Sequence, residues 1–218
     1  MQNLPPRIIF SALRGSAGKT TVALGVAAAL RERGVRVAPF KKGPDYIDPA
    51  WLTLAAGAPC RNLDTFLLQR DVVQRWFAAC AGPDQLAVIE GSRGLYDGLD
   101  VAGTHSTAEL SKLLTAPVVL VLDCTKVSRT AAAMVLGCQQ LDPECRIRGV
   151  ILNQVAQARH ESLLRECVES VCGLPVLGAL PRLRDSRSKE RHLGLVPPQE
   201  HTAVEAVLGE AKELAEQY

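Results

Sequence analysis

The run Arg14-Gly15-Ser16-Ala17-Gly18-Lys19-Thr20-Thr21 follows the apolar stretch RIIFSAL and opens an alanine-rich segment. Small residues there let backbone N–H groups converge on phosphate oxygens. A helix N-terminus adds positive potential at the same point. In that setting Lys19 reaches the β- and γ-phosphates of a nucleoside triphosphate, and Thr20 ligates magnesium. Gly15, Ser16, Ala17, Gly18, Lys19, Thr20 and Thr21 are therefore the expected phosphate-binding set. The strict pattern has glycine five places before Gly18, and Leu13 stands there instead. The strand–loop–helix context, more than the bare GKT, carries the reading.

Two acidic groups follow. In Lys41-Lys42-Gly43-Pro44-Asp45-Tyr46-Ile47-Asp48-Pro49, glycine and two prolines predict a turn that holds two carboxylates three residues apart. The run LAVIE then ends in Glu90, followed by Gly91-Ser92-Arg93-Gly94-Leu95-Tyr96-Asp97-Gly98. An acid that ends a buried strand is a usual partner of the phosphate-loop threonine around magnesium. Three glycines there let backbone approach a ligand. Acids at 45, 48, 90 and 97 exceed the need of one magnesium ion, so some are free to position a second substrate.

These groups need a scaffold. Short apolar runs predict strands over Arg7–Ser11, Val35–Lys41, Leu86–Glu90, Val118–Asp123, Gly149–Asn153 and Val176–Leu180. Several are continuous apolar runs, which suit strands covered on both faces and hence a mostly parallel sheet. Helical segments between them fall at about Lys19–Arg33, Asp71–Ala81, Thr107–Leu114, Ser128–Leu141 and Glu161–Val171. That order predicts one doubly wound α/β domain with its chemistry at the carboxyl ends of the strands.

Composition excludes other classes. The 218 residues are 47% apolar and 22% charged, with a net charge of +2, so no bulk field argues for nucleic acid or an anionic membrane. Aromatics are 4%, few for base stacking. The longest apolar runs are too short to span a bilayer, and the start has no hydrophobic signal core, so the expected location is the cytoplasm. Seven cysteines without a CxxC pair read as small hydrophobes in a reducing compartment. Four histidines without metal-ligand spacing give zinc no support.

The blocks GPDYIDP, EGxxGLYDG, STAELSKLL-APVVLVLD, GVILNxV---RHE, PVLGALPR and ERHLGLVP occur in this order. Together they resemble the ATP-dependent synthetase domain of the cobyrinate a,c-diamide synthase family, from Ile8 to about Pro198. The resemblance implies a phosphate-loop NTPase fold of the dethiobiotin-synthetase-like branch, often a homodimer. It implies amidation of two acetate side chains of a tetrapyrrole, with ATP and Mg2+ and with ammonia normally released from glutamine. Lys19 and Thr20 match the family's phosphate and magnesium contacts, and Asp45, Asp48 and Glu90 match its acids around magnesium and the reacting phosphate. The implied catalytic set is Lys19, Asp45, Asp48 and Glu90, with Thr20, Asp45 and Glu90 on the metal. Tyr46, Ile47 and Asp97 match substrate-facing positions. Asn153 sits where related enzymes read the adenine edge, which an Asn amide can pair bidentately; a strand-end turn residue is the other reading.

The chain departs from the family pattern at Ser92-Arg93, usually an apolar pair, and at Ser186-Arg187-Ser188-Lys189. The segment from Arg182 to His192 carries five Lys or Arg against two acids and suits a polycarboxylate, with Arg191 as the chosen contact. A solvated surface loop is the other reading of that run. Arg14 stands where partitioning-type ATPases carry a second lysine that reaches the partner's nucleotide, although Arg is no simple substitute. Two alternatives therefore stay open: a nucleotide-switched ATPase that dimerises, and a dethiobiotin-synthetase-like ligase acting on another acid. The expected division is a synthetase domain over 1–200 and a helix over 201–218 leading toward a glutaminase domain. None of the cysteines lies in a nucleophile-elbow context, so ammonia is expected from such a domain, a separate partner or solution.

Overall fold

A computed structural model describes residues 4–182 and 196–218. Seven strands form one sheet: β1 Arg7–Ala12, β2 Val37–Lys42, β3 Arg61–Leu63, β4 Leu86–Glu90, β5 Val118–Asp123, β6 Ile147–Val155 and β7 Val176–Pro181. Their order is β3-β2-β4-β1-β5-β6-β7, and every ladder is parallel. The expected α/β phosphate-loop architecture is thus present. After β1 the chain crosses to β2 on one side, and β5 returns to the other. The sheet's switch in direction lies at β1, where such sheets open a crevice at their carboxyl ends.

The helices are α1 Lys19–Glu32, α2 Ile47–Ala56, α3 Arg70–Cys80, α4 Thr107–Leu114, α5 Arg129–Leu141, α6 Ala158–Cys172 and α7 Val204–Gln217. Side chains alternate across each strand and so build two cores. Ile9, Leu120 and Leu122 face Phe77, Leu110, Val135 and Leu164 of α3–α6. Phe10, Val119 and Val121 face Leu24, Trp51 and Val207 of α1, α2 and α7. Among the described residues no helix is long and apolar enough to cross a membrane. All seven cysteines are free thiols.

Several boundaries differ from the sequence reading, each for a local reason. The β2 strand starts at Val37, not Val35, because Gly34 has φ +77° and the Val35 N–H closes the end of α1 on Leu30 O at 2.9 Å. Helix α2 and strand β3 were not expected at all. The turn expected over 43–49 is the start of α2. Asp45 Oδ1 accepts the N–H groups of Ile47 at 2.9 Å and Asp48 at 3.2 Å, and Pro49 fits a first turn that lacks intrahelical acceptors.

Helix α7 belongs to this fold unit and does not merely trail from it. Val207 is fully buried and Lys212 pairs with Glu32 of α1 at 2.7 Å. Contact is so close at Gly25 that a Cβ would stand 2.2 Å from Ala211 O. Gly25→Val should therefore push α7 off α1 and destabilise the chain by about 1–3 kcal/mol, the usual cost of overpacking. A urea titration checks this; a midpoint equal to that of the wild type would contradict the packing.

Candidate active site

The phosphate loop leaves β1 with Ser16 at φ +55° and Gly18 at φ +91°, backbone turns that wrap the chain round the N-terminus of α1. Lys19 is buried and donates to Arg14 O at 3.1 Å and Arg93 O at 2.7 Å. The second contact brings the loop after β4 against the phosphate loop. Gly94 makes that approach possible, since a Cβ there would lie 2.5 Å from Leu13 O. Leu95 N–H on Ala12 O at 2.7 Å and Tyr96 Oη on Cys138 O at 2.6 Å hold the same loop at both ends.

A cavity of about 220 Å³ opens between these loops. It is lined by Gly15, Ser16, Gly18, Lys19, Thr20 and Thr21 on one side and by Lys41, Asp45, Asp48, Glu90, Ser92 and Arg93 on the other. The expected phosphate and acidic groups thus meet, apart from Ala17, which is buried behind the loop with its carbonyl on Asn153 Nδ2 at 3.0 Å. Thr20 Oγ1 donates to Glu90 Oε1 at 2.5 Å. Glu90 has no solvent exposure, and its Oε2 has no hydrogen-bond partner among the described residues. Asp48 Oδ1 is likewise buried without a partner.

Sequence reasoning passed over Lys41, the cation at the centre of these acids. It is 3% exposed, with Nζ 2.6 Å from Asp48 Oδ2, 3.1 Å from Glu90 Oε1 and 4.0 Å from Asp45 Oδ2. Burial alone would lower its pKa, but the Glu90 and Asp48 carboxylates outweigh that and raise it, so Lys41 stays charged. Burial, together with Glu90, pushes Asp48 up, and Lys41 opposes the rise. Burial also lowers Lys19, with Glu90 pulling the other way. A signal was available: a lysine ending an otherwise apolar strand two residues before a Gly-Pro turn.

Magnesium fits this donor set. Two anionic oxygens lack partners, and a threonine hydroxyl already touches one of the carboxylates. Among the described residues no group of three or more His, Cys, Asp or Glu could hold a metal alone. A magnesium ion that takes most of its ligands from phosphate and water needs only one or two carboxylates. Asp45 spends Oδ1 on the start of α2 and Asp48 spends Oδ2 on Lys41, so each keeps one oxygen and Asp48 is as well placed as Asp45 to approach the ion.

The remaining expected residues lie around this centre. Tyr46 is 76% exposed between Asp45 and α2, while Ile47 packs on the α1–α2 core. Asp97 is spent partly on Gly94 N–H at 2.9 Å, which shapes the loop. Asn153 is buried, braces Ala17 and accepts the Gln154 N–H at 2.9 Å, so its amide faces the phosphate loop. Beyond it a depression of about 420 Å³ at the tips of β5, β6 and β7 is lined by Thr125, Lys126, Gln154, Arg159 and Arg182 among others. Arg14 pairs within its own chain, with Asp123 Oδ2 at 2.5 Å. Arg191, and the basic run around it from 183 onward, lie outside the described residues.

Residues 8–196 match the family model described as the CobQ/CobB/MinD/ParA nucleotide-binding domain. The chain belongs to this family. Within it, the chain is 51% identical over 195 residues to a cobyrinate a,c-diamide synthase of Magnetococcus marinus, covering 89% of this chain and 42% of that protein. It is 52% identical over 205 residues to a hydrogenobyrinate a,c-diamide synthase of Streptomyces coelicolor, covering 93% and 42%. The chain therefore spans about two fifths of the length of these relatives. A solved ParA family ATPase from Chlorobium tepidum superposes with a TM-score of 0.56 over 99% of this chain and 96% of its own, at 14% identity, which speaks to fold alone.

Proposed function

We propose that this chain is the ATP-dependent synthetase unit of a cobyrinate a,c-diamide synthase, and that it amidates acetate carboxylates of cobyrinate or hydrogenobyrinate through an acyl phosphate. The observation that carries this reading is the Thr20–Glu90–Lys41–Asp48 array set against the phosphate loop, in a chain about half identical to synthases with those names. A carboxylate resists ammonia because its oxygen is a poor leaving group and its charge repels nucleophiles. Phosphorylation supplies the leaving group, and ammonia then displaces phosphate to form the amide.

In this reading Lys19 offsets charge on the transferring phosphoryl group, since phosphoryl transfer asks mainly for positioning and charge stabilisation. Thr20, Glu90 and one or both of Asp45 and Asp48 would hold magnesium, which lowers the charge on the phosphate oxygens. Lys41 offsets the charge of Asp48 and Glu90 and fixes both side chains in place. The adenosine would lie over the depression at β5–β7, with Asn153 at its inner wall. No general base is assigned, because free ammonia needs none to attack. Its source would be a glutaminase domain or a separate partner, with residues 1–200 and α7 acting as the synthetase unit.

The in-chain pairing of Arg14 with Asp123 favours this reading over a switch in which Arg14 reaches a partner's nucleotide. The test is phosphate release by the 218-residue chain with ATP, magnesium, ammonium and either tetrapyrrole acid. Release that needs both the acid and ammonium, with an amidated product, is expected. ATP hydrolysis indifferent to both acids would overturn the proposal.

A further inference from the structure

His160 stands in the block GVILNxV---RHE, in the first turn of α6, and its ring bonds to two loops at once. Its Nδ1 accepts the N–H of Ala156, in the loop between β6 and α6, at 3.2 Å. Its Nε2 lies 2.6 Å from the carbonyl oxygen of Val127, in the loop between β5 and α5. Those backbone partners fix the tautomer. An N–H can only donate and a carbonyl can only accept, so the ring proton sits on Nε2, where it donates to Val127 O.

The two loops that His160 joins are walls of the depression of about 420 Å³ at the tips of β5, β6 and β7. Lys126 lines one wall at φ +56° and Gln154 the other at φ +62°, a costly left-handed state for any side chain with a Cβ. Strain held at a cavity wall by its surround is a feature of ligand-binding positions. The inner ends of both walls are tied to the sheet, by Cys124 N–H on Asn153 O at 2.8 Å and Arg182 N–H on Val155 O at 2.8 Å. Asn153 carries that tie on to Ala17 O in the phosphate loop at 3.0 Å. Farther out, His160 fastens Val127, the residue after Lys126, to Ala156, two residues after Gln154. Arg159, Leu163 and Arg182 line the same depression. A guanidinium plane and an aliphatic side chain both suit the face of a flat base.

We propose that His160 is a positioning residue for the nucleoside: by bridging Val127 and Ala156 it holds the loops after β5 and β6 at the spacing that admits a purine base. This rests on the reading above that the adenosine of ATP lies over this depression. His160 acts through the two loops and takes no part in phosphoryl transfer. The phosphates are held at the phosphate loop, so the clamp bears on affinity for the nucleoside part of ATP alone.

The test uses the full chain with magnesium and compares wild type with His160→Phe, His160→Gln and His160→Asn. Phenylalanine keeps a ring and loses both bonds. Glutamine can place an N–H near the position of Nε2, and asparagine an oxygen near that of Nδ1, so each restores one bond. Calorimetry measures binding of ATP and of methyl triphosphate, which matches the charge of ATP but has no nucleoside. ATP should bind roughly tenfold more weakly to His160→Phe, as two neutral hydrogen bonds are lost, and less weakly to the other two variants. Methyl triphosphate should bind all four proteins alike. In turnover with ammonium and cobyrinate, the loss should fall on KM for ATP and not on kcat. Should His160→Phe fail to fold, the two single-bond variants decide by the same comparison. A parallel loss for ATP and methyl triphosphate would make His160 a general support of the site and overturn the proposal. Wild type that prefers ATP, with every folded variant keeping that preference, overturns the clamp alone. Wild type that binds ATP no more tightly than methyl triphosphate overturns the placing of the adenosine, and the clamp with it.

Discussion

Lys41→Met is expected to destabilise the chain by about 3–5 kcal/mol, the cost of breaking a buried ion pair by removing one partner. Methionine nearly matches the stem in length but leaves Asp48 and Glu90 facing each other without a cation. Asp48 already has its pKa raised by burial and by Glu90, and without Lys41 it must rise further. The sign of the pH effect follows. A carboxyl group whose folded pKa exceeds its unfolded value costs stability once pH passes the unfolded value, and returns it as pH falls through the folded one. The deficit of Lys41→Met should therefore be full at alkaline pH and shrink on acidification, as Asp48 takes a proton. Magnesium should narrow the deficit too, because a divalent cation between the two carboxylates replaces the missing charge. Urea melts at pH 8 and pH 5, with and without magnesium chloride, test all three parts. Equal midpoints for wild type and variant at pH 8 would show that Lys41 does not hold these acids.

Lys19→Ala should lower kcat for ATP-dependent turnover by at least about 10²–10³-fold, the loss typical of one preorganised donor to developing charge. The ammonium has three donors, and two are spent on Arg14 O and Arg93 O. Those two carbonyls fix its position, and the third N–H is left for a phosphoryl oxygen in the cavity. The same change should abolish the rise in melting temperature that ATP gives the wild type, since stabilisation by a ligand scales with its affinity for the folded state. The melting temperature without nucleotide should move far less. A variant that keeps its thermal shift with ATP and loses only turnover would limit Lys19 to the chemical step.

The most local features were legible in advance. The phosphate loop needs only small residues, a lysine and a threonine between a buried strand and a helix, and these are contiguous over residues 14–21. Short apolar runs marked six of the seven strands, several of them continuous because strands covered on both faces have no polar side to show. The seventh, β3, is three residues long with an exposed arginine and a half-buried asparagine, too short to display a pattern. Helix α2 escaped because Gly43, Pro44 and Pro49 read as turn chemistry, while the group that starts the helix is the Asp45 side chain.

What the amino-acid sequence determined by itself was therefore the class of site: a phosphate loop, an acid pair after the next strand and an acid at the end of a later buried strand. Tertiary structure decided how their charges are balanced. Lys41 meets Glu90 across β2 and β4, from forty-nine positions away, because the two strands pair in register at those residues. Arg93 takes its left-handed turn because Lys19, Leu13 and Ala12 fix the loop around it. Gly25 is required by Ala211, which lies on the last helix of the chain. Local patterns record which groups a segment can offer; electrostatic balance and close packing depend on which distant groups the sheet order places within 3 or 4 Å.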